Sequence, residues 1–318
     1  MARIYCNDVA PRDGFQNEKT FIPTEDKVRL IDALSMTGLA KIEATSYVSP
    51  RAIPALADAE AVMAQIQRVP GVIYTVLVPN VRGAERALDG KADEFNLVMS
   101  ASETHNLANL RMTREQSLAA LGEVLALARG AGVPVNASLS CCFGCPMEGD
   151  VAVDEVLRLS EALLAQGARG ITLCDTTGMA YPTQVEQLTR RFIERFPQAE
   201  VTLHFHDTRG MALANVLAGV AAGARRFDAS LGGLGGCPYA PGASGNACLE
   251  DMVQMLALCG HDTGIDLDAL IACARRLPGL VGHDVPGQLV KAGQRHELHP
   301  PPASLQATRE RAATRPSH

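Results

Sequence analysis

Two histidines stand two apart in the run His204-Phe205-His206-Asp207. Residues at that spacing on a strand point to the same face, so both imidazoles can reach one ligand. A lone strand histidine is more often a hydrogen-bonded core residue. A His-x-His pair facing a carboxylate is better read as a metal-ligand set. Asp13, in the run Pro11-Arg12-Asp13-Gly14, supplies that carboxylate, and Asn246 can return a carbonyl oxygen from the start of a late helix. Two nitrogens and two hard oxygens leave two positions open on an octahedral ion, which suits Mg2+ or Mn2+. A structural zinc would draw on more thiolates. Cys142 and Cys145 form only a lone C-x-x-C, read here as strand-end packing.

The glycine-rich stretch Gly232 to Asn246 carries one cysteine, Cys237. A surface turn and a phosphate cradle are two readings of it, but the Walker lysine and spacing are missing. A mobile lid that brings one thiol over a metal explains both the glycines and the single reactive side chain. Glu43 and Asp175 add carboxylates at the ends of two further apolar runs.

For these groups to meet, the elements carrying them must converge. Short β-branched runs alternate with amphipathic stretches, the pattern of parallel strands joined by helices. Eight candidate strands are Arg3 to Asp8, Lys41 to Thr45, Val72 to Val78, Glu94 to Val98, Val133 to Ser140, Gly170 to Cys174, Glu200 to His204 and Arg226 to Leu231. Helix ends are readable between them. Thr24 precedes a first turn with Glu25 and Asp26 and Gly38 stops that helix, while Thr113 and Gln116 have capping-box spacing for a helix ending near Gly130. A weak repeat places an apolar strand centre four residues after a helix-ending glycine at Gly38/Ile42, Gly167/Ile171 and Gly223/Phe227.

Eight such units predict an α/β fold, a (β/α)8 TIM barrel, with function at the C-terminal ends of its strands. An open doubly wound sheet is the alternative. Further helices are expected over Asn246 to Cys259, Asp266 to Leu277 and Val285 to Ala292. A single catalytic domain would then span 1–298, with a disordered tail over 299–318.

Composition narrows the class of partner. With 47% hydrophobic and 20% charged residues, the chain has the make-up of an ordinary globular core, and its 318 residues suit one large barrel. A net charge of -6 argues against nucleic acid as a partner. The sequence has neither an apolar run of bilayer length nor a secretory signal pattern, so no membrane association is expected and the cytoplasm is the expected compartment.

The segments Pro11 to Lys19, Glu43 to Pro50, Phe143 to Pro146, Asp175 to Gly178, His204 to Thr208 and Gly232 to Asn246 together resemble the 3-hydroxy-3-methylglutaryl-CoA lyase family in order and separation. The resemblance spans roughly residues 4 to 275, and the cysteine loop is its most specific part. It implies Asp13, His204, His206 and Asn246 as metal ligands and Arg12, Glu43, Asp175, Cys237 and Glu250 as the reacting shell. The implied reaction is a retro-Claisen cleavage yielding a keto acid and acetyl-CoA. Arg12 would meet the enolate oxygen, a base such as Asp13 or His204 would take the hydroxyl proton, and Cys237 would protonate the acetyl carbon.

Where the family usually reads Val-Arg-Gly-Tyr-Val-Ser-Cys, this chain has Val135-Asn136-Ala137-Ser138-Leu139-Ser140-Cys141. The loss of an arginine and a tyrosine near the active-site end of strand five is expected to reshape the pocket for the acyl group. A lyase for a related branched thioester such as citramalyl-CoA is therefore the competing expectation, ahead of a Claisen-type synthase or a non-enzymatic acyl-CoA binder. Lys19, with Arg51 and Arg82, is the candidate for the phosphates of an acyl-CoA substrate. A homodimer is the assembly that the resemblance suggests.

Overall fold

The computed structural model of the chain describes residues 3–236 and 245–313. Strands β1 (Tyr5–Asp8), β2 (Lys41–Ser46), β3 (Ile73–Leu77), β4 (Glu94–Ser100), β5 (Val135–Ser140), β6 (Gly170–Asp175), β7 (Glu200–Phe205) and β8 (Arg226–Ala229) form one closed barrel in sequence order. All its pairings are parallel, and β8 returns to β1 in a register running from Tyr5↔Arg226 to Asp8↔Ala229. That closing pair excludes the open sheet.

Helices α1 (Thr24–Ser35), α2 (Ala59–Gln65), α3 (Val81–Asp89), α4 (Glu103–Leu110), α5 (Arg114–Ala131), α6 (Val153–Gln166), α7 (Pro182–Arg195), α8 (Ala212–Ala221) and α9 (Leu249–Leu258) connect and follow the strands. Thr113 and Gln116 make the expected capping box, each side chain accepting from the other's backbone N–H. The three repeat glycines all have positive φ, and Ile42, Ile171 and Phe227 are fully buried. The repeat is thus a physical one: a left-handed helix exit aims the chain into the next strand.

Alternate residues of each strand serve two environments. Ile42, Val76, Phe95, Leu97, Leu139, Leu173, Leu203 and Phe227 join the apolar core. Their neighbours Lys41, Glu43, Glu94, Asn96, Thr172 and Asp228 line a small cavity inside the barrel. Barrels of this class are more often filled with branched apolar side chains. A polar filling is tolerable only where its groups find partners, and here Lys41 pairs with Glu94 while Asn7 Nδ2 donates to Asp228 Oδ1 at 2.8 Å.

Several boundaries differ from the sequence reading. Strand five begins at Val135 because the N–H of Val133 is spent on Ala128 O and Pro134 has none to give. Strand eight ends at Ala229, since Leu231–Gly233 turns as a short 3-10 segment with Gly232 at φ +65°. A side chain at Gly232 would also meet Leu277 at 2.6 Å, so the turn needs glycine twice over.

The C-terminal helices are also shorter than expected. Asp266 caps α10 (Leu267–Ala274), a separate short helix α11 (Leu277–Val281) follows, and only α12 (Leu289–Ala292) of the expected Val285 to Ala292 segment is helical. Pro286 cannot donate, and Gly287 N donates to Gly232 O instead of to a helix. A last helix, α13 (Leu305–Ala313), buries no residue, so the 299–313 stretch adds nothing to the core.

Candidate metal centre and active site

Past the end of β1, Pro11 opens a tight turn over Ala10–Gly14, in which the N–H groups of Asp13 and Gly14 both reach Val9 O. This turn carries Arg12 and Asp13 over the barrel mouth. β7 brings His204, and His206 follows directly after it. The ligand atoms of Asp13, His204 and His206 lie within 4.8 Å of one another, and all three residues are buried. Among the described residues they are the only His/Cys/Asp/Glu group so arranged.

Asn246 completes the set from the opposite side. It pairs with His206 through an isolated β-bridge, and its Nδ2 donates to Asp13 Oδ2 at 2.7 Å and to Leu234 O at 3.0 Å. It precedes α9 rather than opening it, because that helix starts at Leu249. The amide can sit so close to the chain only because Gly235, at φ +128°, has no side chain; a Cβ there would stand 2.4 Å from Asn246 Nδ2.

Asn246 Oδ1 and His206 Nδ1 are buried without a hydrogen-bond partner among the described residues. Unpaired buried acceptors are costly unless something else satisfies them. A hard divalent cation beside Asp13, His204 and His206 fits that need, so the residues present suit the group.

The electrostatics agree. Burial alone would raise Asp13, but the charges of Arg12, His206 and His204 and the Asn246 hydrogen bond outweigh it and hold the carboxyl at about 2. Burial, aided by His204, pushes His206 down to about 4, so its imidazole is neutral and able to ligate. Burial also opposes protonation of His204, but the hydrogen bond and charge of Asp228 reverse the balance and raise it. Asp228 Oδ2 lies 3.4 Å from His204 Nδ1, the arrangement in which a carboxylate orients a ligating imidazole.

Arg12 spans two carboxylates: Nε donates to Glu43 Oε2 and Nη1 to Asp13 Oδ1, each at 2.6 Å. Gln16 Nε2 donates to the same Asp13 oxygen at 2.8 Å. Asp175, at the end of β6, accepts the N–H groups of Met179 and Ala180 on Oδ1, while burial lifts its pKa to about 6. Its Oδ2 is buried without a partner among the described residues.

Glu250 is brought elsewhere. Fully buried in the first turn of α9, it accepts Gly232 N at 3.0 Å. Asp8 accepts the adjacent Leu231 N at 2.9 Å, so two buried carboxylates tether the root of the glycine-rich segment. Cys237 lies outside the described residues. Cys142 and Cys145 are buried and free, as packing residues would be.

Lys19 is exposed beyond the β1 turn. Arg51 and Arg82 line a cavity of about 630 Å3 with Tyr47, Ser49, Asn80 and Arg86, and Lys19 is not among its walls.

Asn136, the second residue of β5, lies nearer the start of the strand than expected, while Ser138 is the fourth of its six; both donate to Asn96 Oδ1, and Asn96 leads through Glu43 to Arg12. The departure from the family pattern therefore falls on the polar network that ends at Arg12. Asn96 and Asp228 are site neighbours that the sequence reading missed. Only the period-two alternation of polar residues in β4 and β8 could have signalled them.

Residues 3–277 match the family model described as HMGL-like. The chain is 47% identical over 286 residues to hydroxymethylglutaryl-CoA lyase YngG of Bacillus subtilis (strain 168), covering 90% of this chain and 96% of that protein. It is 44% identical over 269 residues to the mitochondrial hydroxymethylglutaryl-CoA lyase of Gallus gallus, covering 85% and 90%. A solved HMG-CoA lyase from Acinetobacter baumannii, in complex with coenzyme A and 3-methylmalate, superposes with a TM-score of 0.91 at 51% identity, over 94% of this chain and 98% of that one.

Proposed function

The chain belongs to the HMGL-like family and is a carbon–carbon lyase, and we infer that it splits 3-hydroxy-3-methylglutaryl-CoA into acetoacetate and acetyl-CoA. The observation that carries this reading is the convergence of Asp13, His204 and His206, with Asn246 Oδ1 left unpaired beside them. These four residues would hold a divalent cation, with Mg2+ or Mn2+ favoured by the mixed nitrogen and hard-oxygen donors. Such an ion lowers the pKa of a substrate hydroxyl and fixes the oxygens that bind it.

The protein's own groups supply the rest. A base takes the proton from the tertiary hydroxyl. The bond between the hydroxyl-bearing carbon and the thioester's α-carbon then breaks, turning the alcohol into the ketone of acetoacetate. The electron pair passes to the thioester as an enolate. Arg12 stays protonated, because the charges of Glu43 and Asp13 outweigh the effect of burial, and its rigid fork suits a delocalised oxyanion. Asp175, which burial lifts to about 6, is the proposed proton carrier. Cys237 is proposed to return a proton to the α-carbon, a role resting on the resemblance alone. Glu250 is proposed to act through the loop root, given its bond to Gly232.

For the coenzyme A portion, Arg51 and Arg82 in the cavity at the β2 and β3 loops are proposed to meet phosphates, with Lys19 at the rim as a further cation. No helix of the described residues is long and apolar enough to cross a membrane. The cytoplasm is the proposed compartment. A homodimer is proposed on the resemblance.

Relatives matched over most of the chain are 3-hydroxy-3-methylglutaryl-CoA lyases, so citramalyl-CoA is the less favoured substrate. The test is a panel of 3-hydroxyacyl-CoA thioesters assayed for acetyl-CoA release. The 3-hydroxy-3-methylglutaryl thioester should be cleaved with the highest kcat/KM, and a higher value for citramalyl-CoA would overturn the assignment.

A further inference from the structure

Beneath Arg12 runs a chain of buried hydrogen bonds that the reaction scheme does not use. Glu43 divides its carboxylate between two donors: Oε2 takes Arg12 Nε, and Oε1 takes Asn96 Nδ2 at 2.8 Å. Asn96 Oδ1 in turn accepts Ser138 Oγ at 2.8 Å and Asn136 Nδ2 at 3.1 Å, and Asn136 Nδ2 also reaches Thr172 Oγ1 at 2.8 Å. β2, β4, β5 and β6 are thus linked across the barrel interior, ending on the guanidinium that faces the site.

Direction matters in this chain. With two donors on its oxygen, Asn96 can present only its NH2 group to Glu43, so its orientation is not free to flip. Glu43, Asn96 and Ser138 are each less than a tenth exposed, and hydrogen bonds between such groups are little weakened by water. The two residues that set the Asn96 orientation are the two at which this chain departs from the family's usual arginine and tyrosine.

We propose that Asn96, held by Ser138 and Asn136, is a positioning residue that acts through Glu43 to fix the guanidinium of Arg12 for the lyase reaction. This rests on the lyase reading above, and on the premise that Arg12 is needed in one orientation. A chance filling of a polar interior would predict stability effects without a coupled effect on turnover.

The decisive measurement is a double-mutant cycle on kcat combined with a spectroscopic probe of Arg12. Asn96→Val should lower kcat by about ten- to a hundred-fold, the range for losing a buried hydrogen bond to a charged group. KM should change by less than about three-fold, because no substrate contact is removed. In a Glu43→Gln background the same substitution should cost less than about three-fold more. An unchanged kcat in the single variant, or the full loss repeated in the Glu43→Gln background, overturns the proposal.

The Arg12 Nε–H resonance, assigned in 15N-labelled protein by its loss in Arg12→Lys, gives a readout independent of turnover. It should shift and exchange faster with solvent in Asn96→Val, and an unmoved resonance counts against the relay. Should Asn96→Val fail to fold, the Ser138→Ala/Asn136→Ala double variant removes only the donors on Asn96. It should move the same resonance and lower kcat in the same direction, and no change in either overturns the proposal. If the wild-type protein cleaves none of the thioester, the lyase reading fails and the resonance alone decides the relay.

Discussion

Arg12 is held at 2.6 Å by both Glu43 and Asp13, so its guanidinium is oriented before substrate arrives. A lysine could replace the charge but not two directed bonds. Arg12→Lys should therefore lower kcat by roughly 10²- to 10³-fold, the usual loss for one oxyanion donor. Steady-state kinetics checks this, and a variant that changes KM alone would reduce Arg12 to a binding residue. His206→Ala should weaken divalent-metal binding while leaving the far-ultraviolet spectrum intact, and calorimetry with Mn2+ would show an unchanged affinity if the ligand assignment is wrong. The shared face of the two histidines was legible in the sequence because a strand's period of two needs no tertiary information. That Asn136 and Ser138 both reach Asn96 was not legible, because contacts between neighbouring strands depend on their register, which one strand's own sequence does not give.

Among the elements, the turn after β8 is tied to β1 through Asp8, whose Oδ1 accepts both Ala10 N and Leu231 N. Burial raises this carboxyl to about 7, with Glu250's charge adding to the rise and the backbone N–H groups opposing it. An unfolded aspartate titrates at roughly 4. Between those two values the folded state binds more protons, so this group's contribution to stability falls as pH rises from about 4 to about 7. Asp8→Asn stays neutral throughout and should flatten the fall. Urea midpoints across that range test it, and identical slopes for variant and wild type would refute the buried-acid account. At the α5 start, Thr113→Ala should cost about 1 kcal/mol by removing the cap, a loss that thermal or urea unfolding can resolve. Helix starts and stops of this kind were readable from side-chain chemistry. The non-helical 285–288 part of the expected Val285 to Ala292 helix was not, because Gly287 is committed to a distant partner, Gly232 O.

For the molecule as a whole, eight strand-helix units were enough to foresee a barrel, since their order and length leave few other closures. The polar interior was not foreseen. Residues such as Lys41, Glu94 and Asn96 read as one polar face of a strand, and only closure turns that face inward under the site. Asp13, His204, His206 and Asn246 are proposed to hold the divalent ion that cleavage requires. The most direct test strips the protein of metal with chelator and returns Mn2+ stepwise while acetyl-CoA release from 3-hydroxy-3-methylglutaryl-CoA is followed. Turnover should vanish on stripping, return in proportion to the ion bound and saturate at one ion per chain. Metal-stripped protein that cleaves the thioester at the untreated rate would contradict the claim.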